Sequence, residues 1–201
     1  LTLPLAGTTF CDSVQLFAPS IFDSFSWSTG DTTESIWVSG TGSHSVYVSG
    51  SYEKSDGTSC SLTSDTYTFT INSSPALTIT NESGTEDLDG SNTIELEAAY
   101  TSGSTISWST GATADSIFVT SAGEYTATVE LNGCSTTKTL NIYEPIYVAK
   151  TNSDGTAASN TSGDGTLATP YLTIQKGIDE ANDGGKVYVL PGTYEEQVLI
   201  T

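Results

Sequence analysis

The chain has 201 residues, with 24 acidic residues against five basic ones and a formal charge of −19. All five basic residues are lysines, and with so large an acidic excess the surface repels phosphate backbones, which argues against any nucleic-acid-binding function. No apolar run approaches the roughly 20 residues that cross a bilayer. Nothing at the N-terminus has the regions of a signal peptide, so a secretion signal or anchor is expected outside this segment.

Valine, isoleucine and aromatic residues are plentiful, so the acidic balance reads as a folded chain rather than a disordered one. Short runs alternate apolar and polar residues in chain order: "SVQLFA" from Ser13, "SIWVSG" from Ser35, "SVYVSG" from Ser45, "YTFTI" from Tyr67, "TIELEA" from Thr93 and "YTATVEL" from Tyr125. Each gives a strand with one apolar face. Many short strands with Gly-rich turns predict an all-β chain built of sandwiches.

One phrase occurs twice. "SFSWSTGDTTESIWV" from Ser24 matches "TISWSTGATADSIFV" from Thr105, and the match extends without a gap over 26–48 and 107–129. The duplication predicts two copies of one small β-sandwich, residues 1–75 and 76–144, with a linker around Pro75. Trp27 and Trp108 hold the same place in the two patterns, which makes them core anchors rather than sugar-stacking platforms. Trp37, matched by Phe118, flanks alternating Ile36 and Val38 and is expected to face outward or toward a neighbouring module.

Three cysteines test this scheme. Cys11 precedes the first core strand of the first copy and Cys60 precedes its last, so a Cys11–Cys60 disulfide is expected, as suits an oxidising compartment. Cys134 matches Cys60, but Ser91 stands where Cys11 would recur, which leaves Cys134 free and buried. His44 is the sole histidine. It matches Tyr125 and reads as structural. With no base beside Cys134 and no cysteine–histidine cluster, neither thiol catalysis nor transition-metal ligation is supported.

The pattern "WSTGxTxxSIxV…GCS" resembles the immunoglobulin-like or PKD-like repeats of large secreted surface proteins of Bacteroidota, over 8–72 and 85–143. The resemblance implies an extracellular, cell-surface location, often reached by type IX secretion, and a role as a spacer or adhesive rod. It also implies that the Asp-Ser and Asp-Thr steps at 12–14, 31–33 and 115–117 are O-glycosylation signals.

After Tyr143 the composition changes. A strand from Ile146, a Gly- and Asp-rich loop, a helix over 173–182 with Thr173 as N-cap, the strand "KVYVL" and the strand "EEQVLI" are expected in turn. Glu195 and Glu196, adjacent on that last strand, would point to opposite faces and so form no facing carboxylate pair. The phrases "YVAKTNSDG", "GTLATPYLTIQKGIDEA" and "KVYVLPGTYEEQVLI" resemble the opening of a pectin-lyase-like right-handed parallel β-helix. The resemblance implies that residues 145–201 form an N-terminal cap and first rungs, incomplete without further sequence. Asp154, Asp164 and Asp183 are the weak Ca²⁺ candidates; Asp before Gly is more simply a turn signal. No cofactor is required.

The sequence thus predicts a non-catalytic segment of a secreted bacterial surface protein, a spacer, stalk or filament component. Its partners would be other domains of the same polypeptide, surface glycans or other cells, or further copies of itself in a homo-oligomer or filament. The competing expectation is the front part of an extracellular polysaccharide lyase or glycoside hydrolase whose active site lies on later rungs. A minor third reading is a carbohydrate-binding module that uses Trp37.

Overall fold

The computed structural model describes residues 9–18, 20–83, 88, 92–182 and 184–200. Among these residues the regular structure is all β apart from one short helix. Two compact units divide the chain. The first takes Leu1–Ala76 with Thr101–Thr105 and Val129–Thr136; the second takes Leu77–Tyr100, Ile106–Thr128 and Thr137–Thr201.

In the first unit, β1 (Thr9–Cys11), β2 (Ser13–Phe17), β3 (Ser24–Trp27), β4 (Ser35–Ser39), β5 (Gly42–Val46), β6 (Val48–Glu53), β7 (Ser59–Thr63) and β8 (Tyr67–Asn72) follow the alternating runs. β2 pairs with β4, β6 lies between β3 and β7, and β8 lies between β1 and β5. The period of two sends Val14 and Leu16 of β2, Ile36 and Val38 of β4, Val46 and Val48, and Phe69 and Ile71 to one side. There they form a single core cluster with Trp27 and Phe22. The side chains of all three sheets therefore share one apolar interior.

Gly50, opposite Phe25 in the β3–β6 ladder, is buried at the edge of this cluster. A Cβ at Gly50 would overlap the Phe22 ring. Gly50→Ala is therefore expected to lower stability by about 1–3 kcal/mol, the usual range for overpacking, as read by denaturant titration. An unchanged midpoint would show that the Phe22 ring has room to retreat.

The second copy of the repeat contributes β9 (Leu77–Asn81), β10 (Ile94–Tyr100), β11 (Thr105–Trp108), β12 (Ser116–Val119), β13 (Gly123–Leu131) and β14 (Cys134–Ile142). β10 lies between β9 and β12, and β13 lies between β11 and β14. The first, second and fourth strands thus make one sheet, and the third, fifth and sixth make the other. This is the strand division of an immunoglobulin-like sandwich. The Tyr125 hydroxyl donates to the Ser121 carbonyl at 2.7 Å, the back-bond of a tyrosine corner at the start of the fifth strand. β13 turns into β14 through Asn132 and Gly133, both at positive φ, as a two-residue hairpin of right-twisted strands requires.

The ungapped alignment of 26–48 with 107–129 needs correction in its second half. Ser28 donates from its amide to the Tyr47 carbonyl and accepts from the Tyr47 amide on its hydroxyl; Ser109 does the same with Thr126. Ser28 and Ser109 match at the original offset, but Tyr47 and Thr126 are displaced from it by two residues. The first copy absorbs those residues between His44 and Tyr47, where its strand breaks into β5 and β6 and changes sheets. The matching valines, Val48 and Val129, are therefore not spatial counterparts; Val48 corresponds to Ala127.

Toward the C-terminus, β15 (Ile146–Val148) pairs in parallel with β16 (Val187–Val189), and helix α1 (Ile174–Glu180) lies between them in sequence. The helix packs on both strands through Gly177, where a Cβ would meet Val148 and Val187. The Thr173 hydroxyl accepts from the Lys176 amide as N-cap. Glu196 adds a second cap: its two carboxylate oxygens accept from the Ile174 and Gln175 amides at 2.9 and 3.0 Å. Negative charge at this end suits the helix dipole. The expected strand over "EEQVLI" is absent, since residues 195–200 carry no regular ladder. Glu196 spends its carboxylate on α1 instead. Among the described residues of 145–201, β15–β16 is the one parallel strand pair, without a stacked solenoid.

Candidate functional site

The duplicated phrase builds one local device twice. In the first copy the Trp27 amide donates to the Asp31 carbonyl and the Gly30 amide to the Trp27 carbonyl, at 2.8 and 2.9 Å. In the second, Trp108 with Ala112 and Gly111 with Trp108 repeat this at 2.8 Å each. Gly30 and Gly111 sit at φ +96° and +87°, a backbone region where a side chain is strained. This explains "WSTG": the turn folds the chain back so that the indole Nε1–H reaches a carbonyl beyond it. Trp27 donates to Thr33 at 2.8 Å and Trp108 to Ala114 at 2.9 Å. Both rings are buried, at 3% and 4% exposure.

The disulfide joins Cys11 to Cys134, with 5.7 Å between their Cα atoms. The expected Cys11–Cys60 pairing is wrong, and Cys60 carries the free thiol. The reason is strand direction. β1 runs parallel to β8, which places Cys11 opposite Asn72 at the end of β8. Cys60 lies near the start of β7, opposite Tyr52. At about 3.3 Å per residue an extended chain can carry those positions up to roughly 40 Å apart, well beyond the roughly 7 Å between Cα atoms that a disulfide needs. Cys134 is fully buried as expected, but bonded. Its hairpin is held beside β8 by a hydrogen bond from the Asn72 side-chain amide to the Asn132 carbonyl at 2.8 Å. Asp12, next to Cys11 and at φ +63°, accepts from the Ser74 amide and hydroxyl at 2.9 and 2.7 Å. Ser91, the sequence counterpart of Cys11, lies outside the described residues.

The exposed aromatics are matched too. Trp37 on β4 is 67% exposed and Phe118 on β12 is 68% exposed. Trp37 stands opposite Gln15 and Phe118 opposite Glu95. Trp37 shares its unit with Phe17, also exposed. His44 bonds through Nε2 to the Gly40 carbonyl at 2.7 Å and stacks on Phe69. It therefore serves the fold.

The aspartates proposed for Ca²⁺ are tied into turns. Asp154 Oδ1 accepts from the Thr156 amide and hydroxyl at 2.9 and 2.6 Å. Asp164 Oδ1 accepts from the Thr166 amide and hydroxyl and from the Thr169 hydroxyl. Asp183 lies outside the described residues. No cluster of three or more His, Cys, Asp or Glu occurs among the described residues. An open cleft of about 450 Å³ in the second unit is lined by Leu88, Pro145, Tyr147 and Leu167, with Glu144 as the one carboxylate among its described lining residues. Its Thr166 hydroxyl is spent on Asp164.

No protein-family model matches the chain, and no curated protein does. Among solved structures, the chain is similar to the amphioxus IgVJ-C2 molecule, at a TM-score of 0.31 and 12% identity over 66% of this chain and 96% of that one. It is similar to the N-terminal four Ig domains of Dscam1 isoform 9.44, at 0.30 and 13%, over 71% of this chain and 44% of that one. It is also similar to the fibronectin(III)-like modules of Clostridium thermocellum CbhA, at 0.29 and 11%, over 70% and 90%. These scores are low, and the sandwich assignment stands on the strand pairing described above.

Hydrogen bonds from Ser74 hold the Asp12 carboxyl below its usual range, and threonines do the same for Asp56, Asp154 and Asp164. A carboxyl with a lower pKa folded than unfolded stabilises the fold above the unfolded value and ceases to do so as pH falls through the folded one. The melting temperature is therefore expected to stay level from neutral pH down to about 5 and to fall below about 4. Asp164→Asn should lower it at pH 7 and flatten the acid limb. An acid limb unaltered by Asp164→Asn would show that this turn contributes nothing.

Proposed function

We propose that this chain is a non-catalytic structural and adhesive segment of a secreted bacterial surface protein. In this reading its tandem immunoglobulin-like sandwiches are spacers of the kind found in Bacteroidota, and residues 145–201 are the N-terminal cap of a parallel β-helix. The Cys11–Cys134 bond is the observation that carries the proposal. A disulfide that joins two sequence repeats belongs to an oxidising compartment, and it strengthens the fold rather than serving chemistry. The parallel β15–β16 pair with α1 between them supports the β-helix cap. The groups that could do chemistry also favour a scaffold: His44, Asp154, Asp164 and Glu196 each hold a turn, a strand or a helix end.

Trp37 is the contact residue this reading favours, because a large exposed ring binds sugar faces or partner surfaces at little entropic cost. The test is binding of the whole chain to a glycan array and to intact cells, with Trp37→Ala beside it, together with incubation on acidic polysaccharides. Binding lost in Trp37→Ala, at an unchanged melting temperature and with no unsaturated sugar released, is the expected result. Steady release of unsaturated products would overturn the non-catalytic reading.

A further inference from the structure

Two short segments of the second repeat belong to the first compact unit, the loop Thr101–Thr105 and the hairpin tip Val129–Thr136. The tip carries Cys134, bonded to Cys11. The first repeat has the same two segments. Its hairpin β6–β7 carries Cys60, and its loop before β3 carries Ile21, an apolar residue 52% exposed. Loop and hairpin lie side by side, since Asp23 donates from its amide to the Ser51 carbonyl and accepts on its carboxylate from the Glu53 amide.

The equivalence of the two cysteines is fixed by register. Across the first hairpin the hydroxyls of Ser49 and Thr63 meet at 2.8 Å; across the second, those of Thr128 and Thr137 meet at 3.0 Å. Cys60 precedes Thr63 by the same step as Cys134 precedes Thr137, and Tyr52 and Leu131 follow Ser49 and Thr128 equally. The first hairpin is longer, closing through Lys54 and Thr58. Those extra residues lie beyond the cysteine and leave its register intact. Cys60 is only partly buried and has no disulfide partner, while its twin is fully buried against the strand it is bonded to.

We infer that Cys60 is the docking cysteine for another module of this kind, placed ahead of the first repeat as the first repeat is placed ahead of the second. The partner group is a cysteine on a β1-type strand, the counterpart of Cys11. Each disulfide then staples one module's hairpin to the module before it, and the series stops where serine replaces that cysteine, as at Ser91. The bond forms with a small-molecule disulfide as oxidant. The Cys60 thiolate attacks the oxidant, forming a mixed disulfide and releasing one thiolate. The partner cysteine's thiolate then attacks the Cys60 sulfur and releases the second. Two thiols are oxidised and one disulfide is reduced to two thiols. This inference rests on the repeat geometry and does not depend on what the chain adheres to.

The sequence offers a natural junction for the test. Leu1-Thr2-Leu3 repeats the Leu77-Thr78-Ile79 that follows Ala76. A fusion of residues 1–76 ahead of the complete chain, oxidised with glutathione disulfide and mapped without reduction, is expected to show two links: Cys11–Cys134, and the added copy's Cys11 joined to Cys60 of the complete chain. Cys60→Ser in the complete chain should leave the added Cys11 open to alkylation. Cys11–Cys134 present with that Cys60 still alkylatable, or a Cys60–Cys60 link, would overturn the inference. The unfused chain gives an independent reading. With Cys11–Cys134 intact and no denaturant, an aromatic disulfide reagent should label Cys60 stoichiometrically, and a thiol protected until unfolding would equally overturn it.

Discussion

Cys134→Ser is expected to destabilise the first unit by about 4–5 kcal/mol, the loop-entropy value for a bridge that closes about a hundred residues or more. The bond spans a sequence separation of 123, and the cost of closing a loop grows with the logarithm of its length. Removing the crosslink therefore frees a large denatured ensemble, while the native contacts around it remain. The Asn72–Asn132 hydrogen bond and the Asn132–Gly133 turn do not involve the Cys134 sulfur and are expected to persist in the variant. Cys60→Ser has the opposite expectation. Its thiol closes no loop and is only partly buried, so its stability should stay within about 0.5 kcal/mol of the parent. Urea titration of oxidised parent, reduced parent and both variants separates the cases. Reduced parent and Cys134→Ser should share a midpoint well below that of the oxidised parent and Cys60→Ser. If reduction left the midpoint where it was, native strain at the bridge would be cancelling the entropic gain, and the spacer reading would lose its physical basis.

The disulfide also marks where the sequence stops being informative. Strand positions were legible because alternation is a local property: "SVQLF", "SIWVS" and "YTFTIN" are strands with the expected faces buried. The indoles were legible because the same phrase twice implies the same turn twice. Pairing direction was not. That β1 joins β8 in parallel depends on contacts between residues far apart in sequence, and it decides which cysteine Cys11 can meet. The two-residue slip between Tyr47 and Thr126 was hidden by the coincidence of Val48 with Val129. One signal for the hairpin did stand in the sequence: "NG" immediately before Cys134 between two alternating runs, the strongest short-range mark of a two-residue turn. Glu196 could not be read as a helix cap, since the helix it caps begins 22 residues earlier.

Trp108→Ala is expected to cost about 3–5 kcal/mol, the range for truncating a large buried aromatic. Most of this is apolar burial and the void left behind, because the polar end of the indole is cheaply replaced. Its Nε1–H bonds the carbonyl of Ala114, an exposed residue, which water can serve once the ring is gone. Trp108→Phe tests this division. It keeps most of the ring and gives up the hydrogen bond, so about 1–2 kcal/mol should be lost, the worth of that bond plus a small void. Trp27 is as deeply buried and makes the equivalent bond, to the Thr33 carbonyl, so Trp27→Ala should behave alike in the first unit. Trp37→Ala is the contrast within one residue type. Its ring is 67% exposed, so the melt should move by no more than about 0.5 kcal/mol. Urea melts followed by circular dichroism rank the three tryptophans directly. A loss below 1 kcal/mol for Trp108→Ala would mean that the repeated turn, rather than the ring it folds over, is what the duplicated phrase preserves.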